Sequence, residues 1–150
     1  MRIALLDAGP LGLVTNPRPS PERIACNEWL AALLSAGAYA RVPEIADYEI
    51  RRELIRSGKR RGLQRLDTLA ARIGYLPLTT AVMRQAAEFW ASARQRGRPT
   101  ASNAAIDADM ILCAQAALAG TEDDEIVVAT SNVGHLSLFV DARHWRDIHP

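Results

Sequence analysis

Between Arg2 and Leu6 the chain carries Ile-Ala-Leu-Leu with no polar alternation, the pattern of a short strand buried on both faces. A Pro-rich loop, NPRPSPE, follows. Ser20 is then placed as an N-cap, with Pro21 at the first helical position and Glu22 in the first turn, so a helix is predicted from about Glu22 to Ser35 with Gly37 as its stop. YARVP reads as a second strand, and a helix follows from about Glu44 to Arg56. Ser57-Gly58 breaks it, and a third helix runs to about Ile73 and ends at Gly74. YLPL is a third strand. Thr79 or Thr80 caps a long helix that ends near Gly97-Arg98-Pro99. After a polar loop, a helix from about Asp107 to Leu118 stops at Gly120; EIVVAT is the fourth strand, and WRDIH a short fifth.

Strands alternating with helix-length crossovers imply a central, mostly parallel sheet of four to five strands, covered by helices on both faces: a three-layer α/β/α sandwich. In such sheets the functional crevice lies beyond the carboxyl ends of the strands. Asp7 ends the first strand there, and Thr130 and Asn132 end the fourth. A carboxylate at the end of a buried strand needs compensation from a cation, a helix N-terminus or a solvated cleft, because burying it unpaired costs several kcal/mol.

The second informative stretch is AAIDADMILCAQAAL, Ala104 to Leu118. Beyond its acids it is apolar on nearly every face, which marks a helix buried within the protein. Asp107 and Asp109 open it, and each taken singly has a structural reading as an N-cap or a first-turn acid favoured by the helix dipole. Asp7 and Asp109 gathered at one sheet edge repel each other, and a divalent cation is the natural compensation. Hard oxygen ligands of this kind suit Mg2+ or Mn2+. A third carboxylate is open among Glu44, Asp47, Glu49 and Glu53. Glu49 is spaced to pair with Arg52 on its own helix.

Length and composition restrict the rest. The 150 residues fit a single domain spanning 1–150, and 49% hydrophobic with 23% charged residues is an ordinary globular balance. No apolar run reaches the length of a membrane span, and no signal-peptide pattern precedes the first strand, so a cytoplasmic protein is expected. Cys26 and Cys113 lie in no CxxC or Cys/His pattern and read as reduced packing thiols, while His135, His144 and His149 show no zinc spacing. The net charge is only +1, yet Arg51 to Arg65 carries seven basic residues against one acid. Such a segment supplies either phosphate contacts for nucleic acid or a solvated helix surface. The candidate contacts are Arg51, Arg52, Arg56, Lys59, Arg60 and Arg61.

Four patches, in order and at these separations, resemble the PIN-domain family, most closely its VapC-type toxins of bacterial and archaeal toxin–antitoxin pairs. LLDAGPLG matches the opening strand with its first Asp, Asp7. IADYEIRREL places the family's helical Glu on Glu49. DMILCAQA places the helix-opening Asp on Asp109, with Ala114, Gln115 and Ala116 at the usual small-residue positions. ATSNVGHLSLF places the strand-end polar residue on Asn132. Two departures stand out. Asn132 takes the place of an Asp, and the His-Phe ending is replaced by His135-Leu136, with Phe139 further on.

The resemblance implies a PIN-like fold and a metal-dependent endoribonuclease. Asp7 and Asp109 would hold Mg2+ or Mn2+ most directly, Glu49 would complete the cluster, and Asn132 would orient a water or the scissile phosphate. It further implies an RNA substrate, a cognate antitoxin covering the site and a homodimer; Trp29 and Leu33, or Phe89 and Trp90, are the candidate apolar surface for it, though each reads first as a core residue. The reading from another class is a non-catalytic PIN-like module that binds nucleic acid or protein, favoured only by Asn132. A DNA substrate ranks lower, because nothing resembles the arch or clamp of structure-specific DNA nucleases. Phosphoryl-aspartate chemistry is set aside because the only lysine, Lys59, lies in a helical segment.

Overall fold

A computed structural model describes residues 1–96 and 103–150. The strands β1 (Arg2–Leu6), β2 (Tyr39–Pro43), β3 (Tyr75–Leu76), β4 (Glu125–Thr130) and β5 (Ala142–His144) form one sheet in the order β3-β2-β1-β4-β5. Every pairing is parallel, with Leu5 opposite both Arg41 and Val128. The sheet is thus fully rather than mostly parallel. The fifth strand is Ala142–His144, not WRDIH, because Trp145–Asp147 tightens into a 3-10 turn in which His144 Nδ1 accepts from the Arg146 N–H.

The helices are α1 (Ala8–Thr15), α2 (Pro21–Ser35), α3 (Glu44–Arg56), α4 (Arg60–Ile73), α5 (Thr80–Gln95) and α6 (Asn103–Ala117). Ser20 caps α2 by accepting from the Arg23 N–H at 3.1 Å, with Pro21 in the first turn. Thr79, rather than Thr80, caps α5 through the Val82 N–H at 3.1 Å. The polar loop expected after Pro99 lies outside the described residues. Helix α6 begins at Asn103, so Asp107 stands in its second turn and is not its N-cap.

Helix α1 is absent from the pattern reading, since Gly9, Pro10 and Gly12 look like loop residues. It forms because Asp7 caps it and because Pro10 sits in the first turn, where its missing N–H has no intrahelical partner to lose. Alternation along β1 then divides the core. Ala4 and Leu6 join Leu11, Leu30, Leu33 and Leu66 beneath α1, α2 and α4. Ile3 and Leu5 join Met110, Leu112 and Cys113 of α6 on the other face, with α5 packed outside. The result is a three-layer α/β/α sandwich.

Candidate metal centre

Because β1 is flanked by β2 on one side and β4 on the other, successive crossovers leave in opposite directions at the β1–β4 seam. That seam is the topological switch point, where a crevice opens beyond the strand ends. Asp7 stands on it. Its peptide N–H donates to Ala129 O at 2.9 Å, extending the β1–β4 ladder by one residue. Its carboxylate accepts from the Ala8 N–H at 2.7 Å through Oδ1 and from the Thr130 hydroxyl at 2.7 Å through Oδ2. The charge at the end of the strand is therefore met by a helix N-terminus and a hydroxyl.

Thr130 is fully buried, and its Oγ1 also accepts from the Asn132 N–H at 3.0 Å. The one side chain thus ties Asp7 to the loop carrying Asn132, which is exposed. The same loop approaches α1 closely: a Cβ on Gly9 would lie 2.4 Å from Ser131 Oγ and 2.8 Å from its Cβ. Glycine is required there for close approach. The strand-end pattern names Thr130 only as a neighbour of Asn132, and its hydrogen bond to Asp7 is not legible there.

Of the four acids on α3, three are engaged elsewhere. Glu44 Oε1 accepts from the Leu78 N–H at 2.7 Å and anchors the segment after β3. Asp47 is buried and pairs with Arg51 through two hydrogen bonds of 2.8 and 3.0 Å. Glu53 is exposed and pairs with Arg56. Glu49 alone of the four is coupled to the centre. Burial, then the Asp7 carboxylate, push its carboxyl above the usual range, with Asp109 adding and Arg52 opposing. The approach of α3 is set by Gly12 of α1, where a Cβ would stand 3.2 Å from Ile50 Cδ1. The expected Glu49–Arg52 ion pair does not form among the described residues; the Arg52 guanidinium lies 5.0 Å from the Tyr48 ring centroid instead.

Asp109, partly buried on α6, is pushed up to about 6 by burial and then by Asp7, with His135 acting in the opposite direction. Asp107 is exposed and lines an apolar groove of about 380 Å3 with Met83, Trp90 and Met110, apart from the centre. Cys113 is buried next to these acids, its thiol pushed up to about 12 by burial and then by Asp109 and Asp7, and Cys26 is likewise buried and free. Both are packing thiols. Asp7 thus acts electrostatically on Glu49 of α3 and on Asp109 of α6. Among the described residues no group of three or more His, Cys, Asp or Glu side chains is placed to hold a metal ion.

The basic segment is dispersed. Arg51 bridges Asp47 and, at 2.6 Å, Asp67 of α4. Lys59 and Arg60 are exposed, and Arg61 lines a cleft of about 500 Å3 between α2 and α4 with Arg65 and Arg72. None of the three central acids lines that cleft. Trp29 and Leu33 are core residues, Trp29 donating from Nε1 to Ile148 O at 2.8 Å, so they offer no surface for a dimer. Phe89 is half-buried with its ring centroid 4.7 Å from that of Phe139, whereas Trp90 is exposed. Among the described residues no helix is long and apolar enough to cross a membrane.

The fold is PIN-like, as the sequence led us to expect, and at the level of fold the VapC-type resemblance holds. The chain is similar to VapBC2 from Rickettsia felis, solved bound to a DNA fragment from their promoter, with a TM-score of 0.68, 15% identity and coverage of 95% of this chain and 98% of that one. FitAcB from Neisseria gonorrhoeae gives a TM-score of 0.68 at 22% identity, over 97% of this chain and 99% of that one. DNA-bound VapBC from Salmonella typhimurium gives 0.64 at 18%, again over 97% and 99%. No protein-family model and no curated protein matches the sequence.

Proposed function

We propose that this chain is a Mg2+- or Mn2+-dependent endoribonuclease and the toxin of a toxin–antitoxin pair. The reading rests on the position of Asp7 at the switch point and on its coupling to Glu49 and Asp109, whose proton affinity is raised by burial and then by the Asp7 carboxylate. Carboxylate oxygens are the hard ligands such an ion takes, and one or two of them suffice for a cation that keeps several waters. Asp7 and Asp109 would hold it, with Glu49 completing the set directly or through water. When bound there, the ion supplies positive charge beside the scissile phosphate and acidifies a water.

The chain's own residues do the rest. Asp7 is held in one orientation by the Ala8 N–H and the Thr130 hydroxyl. Asn132, exposed at the mouth and anchored through its own N–H, offers an uncharged carboxamide to the phosphate or an attacking water. Without a cation the three carboxylates repel the phosphodiester, so cleavage should vanish in chelator.

Similarity to VapBC complexes supports an antitoxin partner, and a basic side chain of that partner is proposed to cover these acids. A homodimer is proposed through α5, where Trp90 and Met83 are exposed beside the apolar groove.

The test needs no guess at the RNA. The purified protein is melted with and without Mn2+, and so is Asp7→Asn. The wild type should gain about 2.7 kcal/mol at a hundredfold excess over the dissociation constant. Asp7→Asn should gain little from metal. If Mn2+ does nothing and Asp7→Asn only destabilises, Asp7 is purely a helix cap, and the non-catalytic binding module takes the lead.

A further inference from the structure

Tyr48 precedes Glu49 on α3 and is 55% exposed, an unusual position for a large ring beside a polar centre. One side of it is occupied: the Arg52 guanidinium sits 5.0 Å from its centroid. At about 100° per residue, Arg52 lies between Tyr48 and Glu49 around the helix. Among the described residues, Arg52 is also the arginine whose field lowers the proton affinity of Glu49. The arginines on either side are spent differently, Arg51 on Asp47 and Asp67 and Arg56 on Glu53. Arg52 makes no ion pair among the described residues.

We infer that Tyr48 and Arg52 form a stacking platform that holds one unpaired nucleobase of single-stranded RNA at the edge of the acidic centre. The inference rests on the nuclease reading for its substrate class, but not for its geometry. A flat, exposed ring accepts any base on its free side, and stacked single-stranded bases are the usual object of such rings. The adjoining guanidinium, preorganised by the ring, supplies charge for the phosphate of the same nucleotide. That charge is needed here, because the carboxylates next to it repel the backbone. A protein partner fits less well: the ring is covered on one side by a cation, and the strip offers one aromatic with only Ile55 exposed beyond it on the same face.

The test is fluorescence anisotropy with fluorescein-labelled decauridylate, in EDTA, on the full-length chain carrying Asp109→Asn so that the RNA is held rather than cut. Tyr48→Ala should weaken binding about tenfold, and Tyr48→Phe should retain it, because the ring and not its hydroxyl does the stacking. Arg52→Ala should weaken binding and lower the slope of log affinity against log salt by about one phosphate contact. Equal affinity for Tyr48→Ala and its parent overturns the platform, as does the absence of any binding by the parent. Sedimentation of Tyr48→Ala provides the other arm: loss of a self-association that the parent shows makes the face a protein interface and also overturns the proposal. The two readings fail separately. Metal-dependent cleavage with no dependence on Tyr48 removes the platform alone, whereas Tyr48-dependent binding with no metal-dependent cleavage removes the nuclease alone.

Discussion

The hydroxyl of Thr130 donates to Oδ2 of Asp7 at 2.7 Å, joining two residues 123 positions apart in the chain. This bond locks the ends of the two central strands together, and it spares Asp7 a second unmet oxygen. The hydroxyl has the nearer Asp7 oxygen and, at 3.1 Å, the Asn132 carbonyl as acceptors, while its own oxygen accepts from the Asn132 N–H. Thr130 is therefore the positioning residue of the centre.

Thr130→Val should cost about 2 kcal/mol, since a buried hydrogen bond to a charged group is lost while the shape is retained. Urea unfolding measures it. Thr130→Ser should recover most of the loss, and a Val variant as stable as the wild type would contradict the role of the hydroxyl.

Asp109 makes stability depend on pH, in the same direction as Glu49. Its folded carboxyl is raised from 3.8 to about 6, so between those values the native state holds a proton that the unfolded chain has released. Stability therefore falls as pH rises through that window, and the whole penalty is present above about pH 6. Asp109→Asn removes the penalty. It should exceed the wild type by about 1 kcal/mol at pH 8, a figure reduced for solvent screening, and match it near pH 4. Parallel melts across that range check the sign.

Gly9 and Ser131 should behave as a coupled pair. Gly9→Ala drives a methyl into the Ser131 side chain, whose Cβ cannot rotate away, so the loop bearing Asn132 must shift. We expect about 1–3 kcal/mol of destabilisation. Adding Ser131→Gly removes the obstructing atoms and should restore stability, the signature of direct contact in a double-mutant cycle.

Neighbouring arginines on α3 should separate stability from RNA affinity. Arg51→Ala leaves the buried carboxylate of Asp47 without its two hydrogen bonds and should cost about 2–3 kcal/mol, below the range for fully buried pairs because Arg51 is about one-third exposed. Arg52→Ala should leave the melting temperature within a degree or two, since it lacks a carboxylate partner among the described residues. Thermal melts of the two variants, measured alongside their RNA affinities, distinguish a structural cation from one available to a phosphate.

Much of the fold is legible in the sequence because its signals are local. The unbroken apolar runs of β1 and β4, the Ser20–Pro21 start of α2 and the Thr79 cap of α5 each depend on residues within one turn or one strand. The misreadings are local too. Three breaker-type residues conceal α1, because its cap, Asp7, reads as the end of a strand. The fifth strand is misplaced because Trp145 and Ile148, which read as strand residues, are buried by a 3-10 turn.

The sequence by itself determined that carboxylates stand at the end of the first strand and on a buried helix, because strand ends and buried helices are written in the order of apolar residues; that Asp109 lies in mid-helix rather than at its opening was not legible. Spacing alone did not choose Glu49 from the four acids of α3; only the family resemblance pointed to it. That choice depends on how α3 is rotated and how closely it approaches α1, and Gly12 against Ile50 sets the approach. Nor did it disclose the tie from Thr130 to Asp7, or the bridge from Arg51 to Asp67. Those pairings join side chains from different elements, and only the packing of helices and strands brings them within hydrogen-bonding distance.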